Sequence, residues 1–101
     1  MSNVERSLTA LAKMLGLGVR VSRGTGGFHM QLGGTPADSR EGASFGQDAV
    51  LSYSSWNGRY SATGGFVLDA SEVAVYLAVW SKNRSADVHH VRYLFREAMG
   101  V

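Results

Sequence analysis

Apolar positions in this chain recur first every three to four residues, then every second residue, then every three to four again, and each change of period marks an element. Val4, Leu8, Leu11 and Leu15 keep helical spacing. Ser2 with Glu5 three residues later has the form of a capping box, and Gly16 followed by Leu17 has the form of a Schellman stop, so a helix is expected over residues 3–15. Leu17, Val19 and Val21 then alternate with Gly18, Arg20 and Ser22, and Phe28, Met30 and Leu32 alternate with His29 and Gln31. These read as two strands, each with one apolar face, joined by a turn at Gly24-Thr25-Gly26-Gly27.

The sharpest local signal is Asn57-Gly58, set between alternating segments from Ala49 to Trp56 and from Arg59 to Leu68, because Asn-Gly suits the left-handed backbone of a two-residue hairpin turn. In that register Trp56 faces Arg59, Tyr53 faces Ala62 and Leu51 faces Gly64. Leu51, Tyr53, Tyr60, Ala62 and Phe66 then share a core face, and Ser52, Ser54, Trp56, Arg59, Ser61 and Thr63 share an outer one. Helical spacing returns with Val73, Tyr76, Leu77 and Trp80 behind the cap-like pair Asp69 and Glu72, with Lys82 and Arg84 suited to the C-terminal end. A last helix is expected behind a cap at Ser85 or Asp87, burying Val88, Val91, Leu94, Phe95 and Ala98 until Gly100.

The predicted order is α-β-β-β-β-α-α: an α+β fold in which one N-terminal and two C-terminal helices cover one face of a four-stranded antiparallel sheet. Gly64-Gly65 is its weak point, a candidate bulge or close backbone approach inside the fourth strand. Residues 33–48 hold Pro36, the charges Asp38, Arg40, Glu41 and Asp48, and Phe45 as their one large apolar side chain. They read as a long flexible loop of about 16 residues, a length at which loops are commonly functional or disordered.

At 101 residues and 45% hydrophobic content the chain suits one domain over 1–101, with enough core to need no staple. The absence of cysteine excludes thiol nucleophiles, thiolate metal sites and disulfides, and makes a reducing cytoplasm the expected location. Glu5 and Lys13 interrupt the N-terminal apolar residues, so neither a signal peptide nor a membrane span is expected there. The net charge is only +2, which makes the pI of 9.3 a weak pointer to a polyanion.

Candidate chemistry is sparse. Gly42-Ala43-Ser44-Phe45-Gly46 matches the nucleophile-elbow spacing but falls in a loop without the strand-to-helix context that strains and exposes the serine. Gly24-Thr25-Gly26-Gly27 lacks the lysine, spacing and following helix of a phosphate loop. His89 and His90 diverge by about 100° on a helix and have no further ligand at hand for a metal. Asp69 and Glu72 are explained by capping. No enzyme, cofactor or metal site is therefore expected.

Two surfaces suit binding. The outer sheet face combines Arg20, Ser22, His29, Gln31, Ser52, Ser54, Trp56, Arg59, Ser61 and Thr63; of these Arg20, His29, Trp56 and Arg59, with Asn57 at the hairpin tip, are the expected partner-binding residues, since Trp and Arg are enriched at protein-binding hot spots. On the last helix His89, Arg92 and Arg96 lie within about 60° of one another beside Tyr93, a small basic ridge suited to phosphate. A sheet that stacks nucleic-acid bases uses paired aromatics, and this outer face offers only Trp56, so a larger protein or protein complex is the expected partner. The leading expectation is a small non-enzymatic binding or inhibitor protein. By analogy alone, compact cysteine-free inhibitors of this kind are carried by phages and mobile elements, anti-CRISPR proteins among them. The alternative is a nucleic-acid-binding accessory or regulatory protein using His89, Arg92, Tyr93 and Arg96, and a third reading is a homo-oligomer that pairs through exposed strands.

Overall fold

The computed structural model describes residues 2–100, and its first element is helix α1 (Asn3–Leu15). Ser2 caps it, its hydroxyl accepting from the Glu5 N–H at 3.1 Å, and Gly16 ends it with a left-handed φ of 71° while the Leu17 N–H returns to the Ala12 carbonyl at 2.8 Å. Only half of the expected capping box forms. The Glu5 carboxylate turns away from the helix start and is buried against Arg23.

The chain divides into two units, one up to Val67 and one from Leu68. In the first, β1 (Gly18–Gly24) and β2 (Gly27–Gly33) pair along their full length through the turn at Thr25-Gly26. The segment that follows contains a 3-10 turn at Pro36–Asp38, the two-residue strand β3 (Arg40–Glu41) and a second 3-10 turn at Gly46–Asp48. Strand β4 (Ala49–Ser54) then pairs with β2, with one irregularity of register between Leu32 and Gly33, and β5 (Arg59–Ala62) pairs with β4. β6 (Phe66–Leu68) completes a sheet of order β3-β1-β2-β4-β5-β6.

The sheet therefore has six strands rather than the four expected. One extra strand comes from the long connection, where β3 runs parallel to β1 with Arg20 opposite Arg40 and Val21 opposite Glu41. The other arises at Gly64-Gly65, whose φ angles of 86° and 80° no extended strand can contain, so the expected fourth strand breaks into β5 and β6.

The central hairpin also closes differently from the two-residue turn predicted. Ser54 faces Arg59, Tyr53 faces Tyr60 and Leu51 faces Ala62, and residues 55–58 make the turn. The pairing has slipped by two residues relative to expectation, and because side chains alternate with period two the slip leaves the paired residues 51–54 and 59–62 on their expected faces. Leu51 and Ala62 are buried beside Met30 and Leu32 on the inner face, where the Tyr53 ring packs tilted against Tyr60 at 4.7 Å and Phe28 at 5.8 Å. Helix α1 packs on β1 and β2 and buries Leu8 and Ala12.

In the second unit Asp69 and Glu72 pair as expected, the Asp69 N–H donating to the Glu72 carboxylate at 2.7 Å, and a 3-10 turn at Ala70–Glu72 leads into α2 (Val73–Lys82). Asp87, not Ser85, caps α3 (Val88–Ala98) by accepting from the His90 N–H at 2.9 Å. The two helices pack together, with Tyr76 against Phe95 edge to face at 5.6 Å. Val73, Leu77 and Val91 are buried as expected, whereas Ala98 is exposed. Among the described residues no helix is long and apolar enough to cross a membrane.

Candidate functional site

The outer face of the first unit is built in rungs, because residues opposite one another on neighbouring strands project side by side. One rung runs Arg20, Gln31, Ser52, Ser61 across β1, β2, β4 and β5; the next runs Ser22, His29, Ser54, Arg59. Adjacent rungs on one face lie about 7 Å apart along the strands, and the four members of a rung span about 14 Å. At both ends of this face the strands carry glycine: Gly18 and Gly33 at one, Gly24 and Gly27 at the other.

Each glycine pair seats something. A Cβ on Gly33 would come within 3.2 Å of the Phe45 ring, and one on Gly27 within 2.8 Å of the Trp56 ring. Phe45 arrives on the connection between β2 and β4, which behaves as a strap laid across the outer face. The Arg20 guanidinium holds it, donating to the Asp38 carbonyl at 2.8 Å and the Ser44 carbonyl at 2.9 Å and stacking over the Phe45 ring at 4.2 Å. The amide oxygen of buried Gln31 accepts from the Phe45 N–H, and its nitrogen donates to Ser52 at 3.1 Å. Further along, the Gly42 N–H bonds to the Val21 carbonyl at 2.7 Å, and Asp38 accepts from the Thr35 N–H at 2.7 Å and the Thr35 hydroxyl at 3.0 Å. Those bonds, led by the one from the Thr35 backbone, hold the Asp38 carboxyl below its ordinary pKa.

Trp56 lies in the hairpin turn and folds back over Gly24 and Gly27, its indole N–H donating to the Thr25 carbonyl at 3.0 Å. The ring is still 53% exposed. Beside it the Asn57 side chain accepts from the Arg59 N–H at 3.0 Å, fixing the tip, and Ser55 accepts from the Phe28 N–H at 2.7 Å. His29 and Arg59 share the second rung, and Trp56 and Asn57 lie in the turn that adjoins it. Arg20 sits one rung away, committed to the strap.

Beside the strap, Ser52, Ser61, Thr63 and the glycine backbones at 46, 64 and 65 line a cleft of about 470 Å³ with no charged side chain in its lining. Sequence reasoning did not locate this cleft, which depends on the strap and the broken strand. On the inner face Glu5, Arg23 and Glu41 make a charged group, Arg23 lying 2.6 Å from Glu5 and 3.0 Å from Glu41. The hydrogen bonds from Arg23 pull the Glu5 carboxyl below its ordinary pKa despite its burial.

The ridge on α3 lies in the second unit. His89 and Arg96 are exposed, Arg92 is half-buried and Tyr93 is 58% exposed. His90 stacks on Tyr93 at 6.5 Å, and a hydrogen bond to the Glu97 carboxylate raises the Tyr93 hydroxyl pKa, so an acidic group stands within the basic ridge. Ser44 is exposed on the strap, where its carbonyl serves Arg20. Among the described residues no three His, Cys, Asp or Glu side chains gather closely enough to hold a metal. No protein family, curated protein or solved structure matches this chain.

Proposed function

We propose that this protein acts by binding, occupying a surface of a larger protein or protein complex with the outer face and hairpin tip of its first unit, and that it is not an enzyme. The observation that supports this reading best is Trp56, a half-exposed aromatic ring locked by an indole hydrogen bond and two glycine seats before any partner arrives. A ring already ordered loses little entropy on binding, and tryptophan and arginine are among the residue types enriched at the energetic centre of an interface. The inhibitor of anti-defence type, anti-CRISPR-like and carried by phages, is the specific form we propose for such a binder, on the analogy of size and cysteine-free composition alone.

The second reading is nucleic-acid binding through His89, Arg92, Tyr93 and Arg96, favoured by the exposure of Tyr93 on α3 and opposed by Glu97 beside it. The two readings separate by salt. Purified protein titrated into mixed single- and double-stranded nucleic acid at low and physiological salt, with light scattering on the same sample, is expected to show no tight complex. Retention that weakens steeply with salt and disappears when Arg92 and Arg96 are both changed to glutamate would overturn the proposal in favour of the second reading.

A further inference from the structure

The rungs of the outer face differ in how their polar groups are used. In the first, Arg20, Gln31 and Ser52 are all hydrogen-bonded, and Phe45 lies over Gly33 beyond it. At the far end Trp56 covers Gly24 and Gly27. Between them, among the described residues, the side chains of Ser22, His29, Ser54 and Arg59 make no hydrogen bond or ion pair within the chain. One row of four polar groups is therefore left without a partner in the described chain, with the Trp56 ring on one side of it and the bonded Arg20 rung on the other.

We propose that this row is a recognition site for a carboxylate-bearing extended segment of the partner protein, with Arg59 as the fork that takes the carboxylate and with Ser22, His29 and Ser54 bonding to its neighbouring acceptors. This rests on the binding reading above and assigns the chemistry of its site. A guanidinium matches a carboxylate through two parallel N–H donors, and the Trp56 ring one rung away offers apolar contact to the segment that carries the acid. Among the described residues no carboxylate occupies the row, so an incoming acid meets Arg59 without a competitor from them. The charge count argues against a nucleic-acid strand. Each nucleotide brings a phosphate and calls for a track of cations, whereas the row holds one arginine; on the same face Arg20 is bonded to the strap, and Arg40 lies beyond it on β3.

The test is an NMR titration of isotope-labelled full-length protein with three probes: a short capped peptide of alternating glutamate and serine, its lysine counterpart, and oligothymidylate of the same charge as the acidic peptide. The acidic peptide is expected to shift the signals of Ser22, His29, Ser54, Arg59 and the Trp56 indole. Arg59→Gln, at an exposed position that leaves the fold intact, should weaken that binding about tenfold. The lysine peptide should leave the row unchanged. Absence of shifts in the row with the acidic peptide, equal binding by Arg59→Gln, or tighter binding of oligothymidylate at the row would each overturn the assignment. Partner capture that still depends on Trp56 after such a result would leave the binding reading standing; capture indifferent to Trp56 would remove that reading itself.

Discussion

A methyl group on Gly27 would lie 2.6 Å from the Ser55 hydroxyl and 2.8 Å from the Trp56 ring. Gly27→Ala must therefore displace the indole, and the expected result is loss of the Trp56 N–H signal from its hydrogen-bonded position with destabilisation of about 1–2 kcal/mol, typical of overpacking. An unmoved indole signal would show that the seat is looser than the geometry says. This feature was open to reading in the sequence: strands that carry glycine at both ends of one face announce that something crosses there. The turn signal at Gly24-Thr25-Gly26-Gly27 hid it, because glycine there had a sufficient local explanation.

Glu5 shows the opposite case, in which the local explanation was the wrong one. Its capping role would leave it in solvent, but its partner is Arg23, which is 50% exposed while the Glu5 side chain is 4% exposed. Because the folded-state pKa of Glu5 is depressed, its contribution to stability is fully present above its unfolded value of about 4.3 and is lost as pH falls through the lower folded value. Urea midpoints between neutral pH and pH 3 should fall less steeply for Glu5→Gln than for the parent protein. At neutral pH the same variant should be less stable by about 1–2 kcal/mol, a buried pair discounted for the exposure of its arginine. Identical acid dependence in the two proteins would contradict the assignment.

At the scale of elements the strap is the part that sequence periodicity could not reveal. β3 is two residues long and pairs parallel to β1, too short for any alternation to register, and the bonds holding the strap come from carbonyls and from one arginine on a distant strand. The long helices and the two hairpins were legible because each carries several periods of a repeating pattern. The hairpin slip was harmless for a definite reason: two residues is one full period of a strand, so the paired residues keep their faces while each rung changes its members, Ser54 standing opposite Arg59 where Trp56 was expected. Arg20→Ala should release the strap at a cost of about 2 kcal/mol for the lost charged hydrogen bonds. Hydrogen exchange at the Gly42 and Phe45 amides would then accelerate while the β2–β4 amides stay protected. Unchanged exchange at Phe45 would mean that Gln31 and the Phe45 seat hold the strap without Arg20.

At the scale of the whole molecule, a net charge of +2 and an outer face on which Arg59 stands alone in its rung favour short-range recognition of a particular acidic group over long-range attraction to a polyanion. Alternation assigned Trp56, Arg59 and His29 to one face, with Asn57 at the hairpin tip. It could not distinguish Arg20, which holds the strap, from Arg59, because that difference is made by backbone carbonyls distant in sequence. The measurement that tests the central claim most directly is quantitative capture from a host lysate with three proteins side by side: the parent, Trp56→Ala combined with Arg59→Gln, and Arg92→Glu combined with Arg96→Glu. If the outer face of the first unit is the binding surface, one protein or complex is retained by the parent and the α3 variant and lost from the outer-face variant, whose dispersed NMR spectrum shows it folded. Retention by the folded outer-face variant, or loss from the α3 variant alone, would contradict the account.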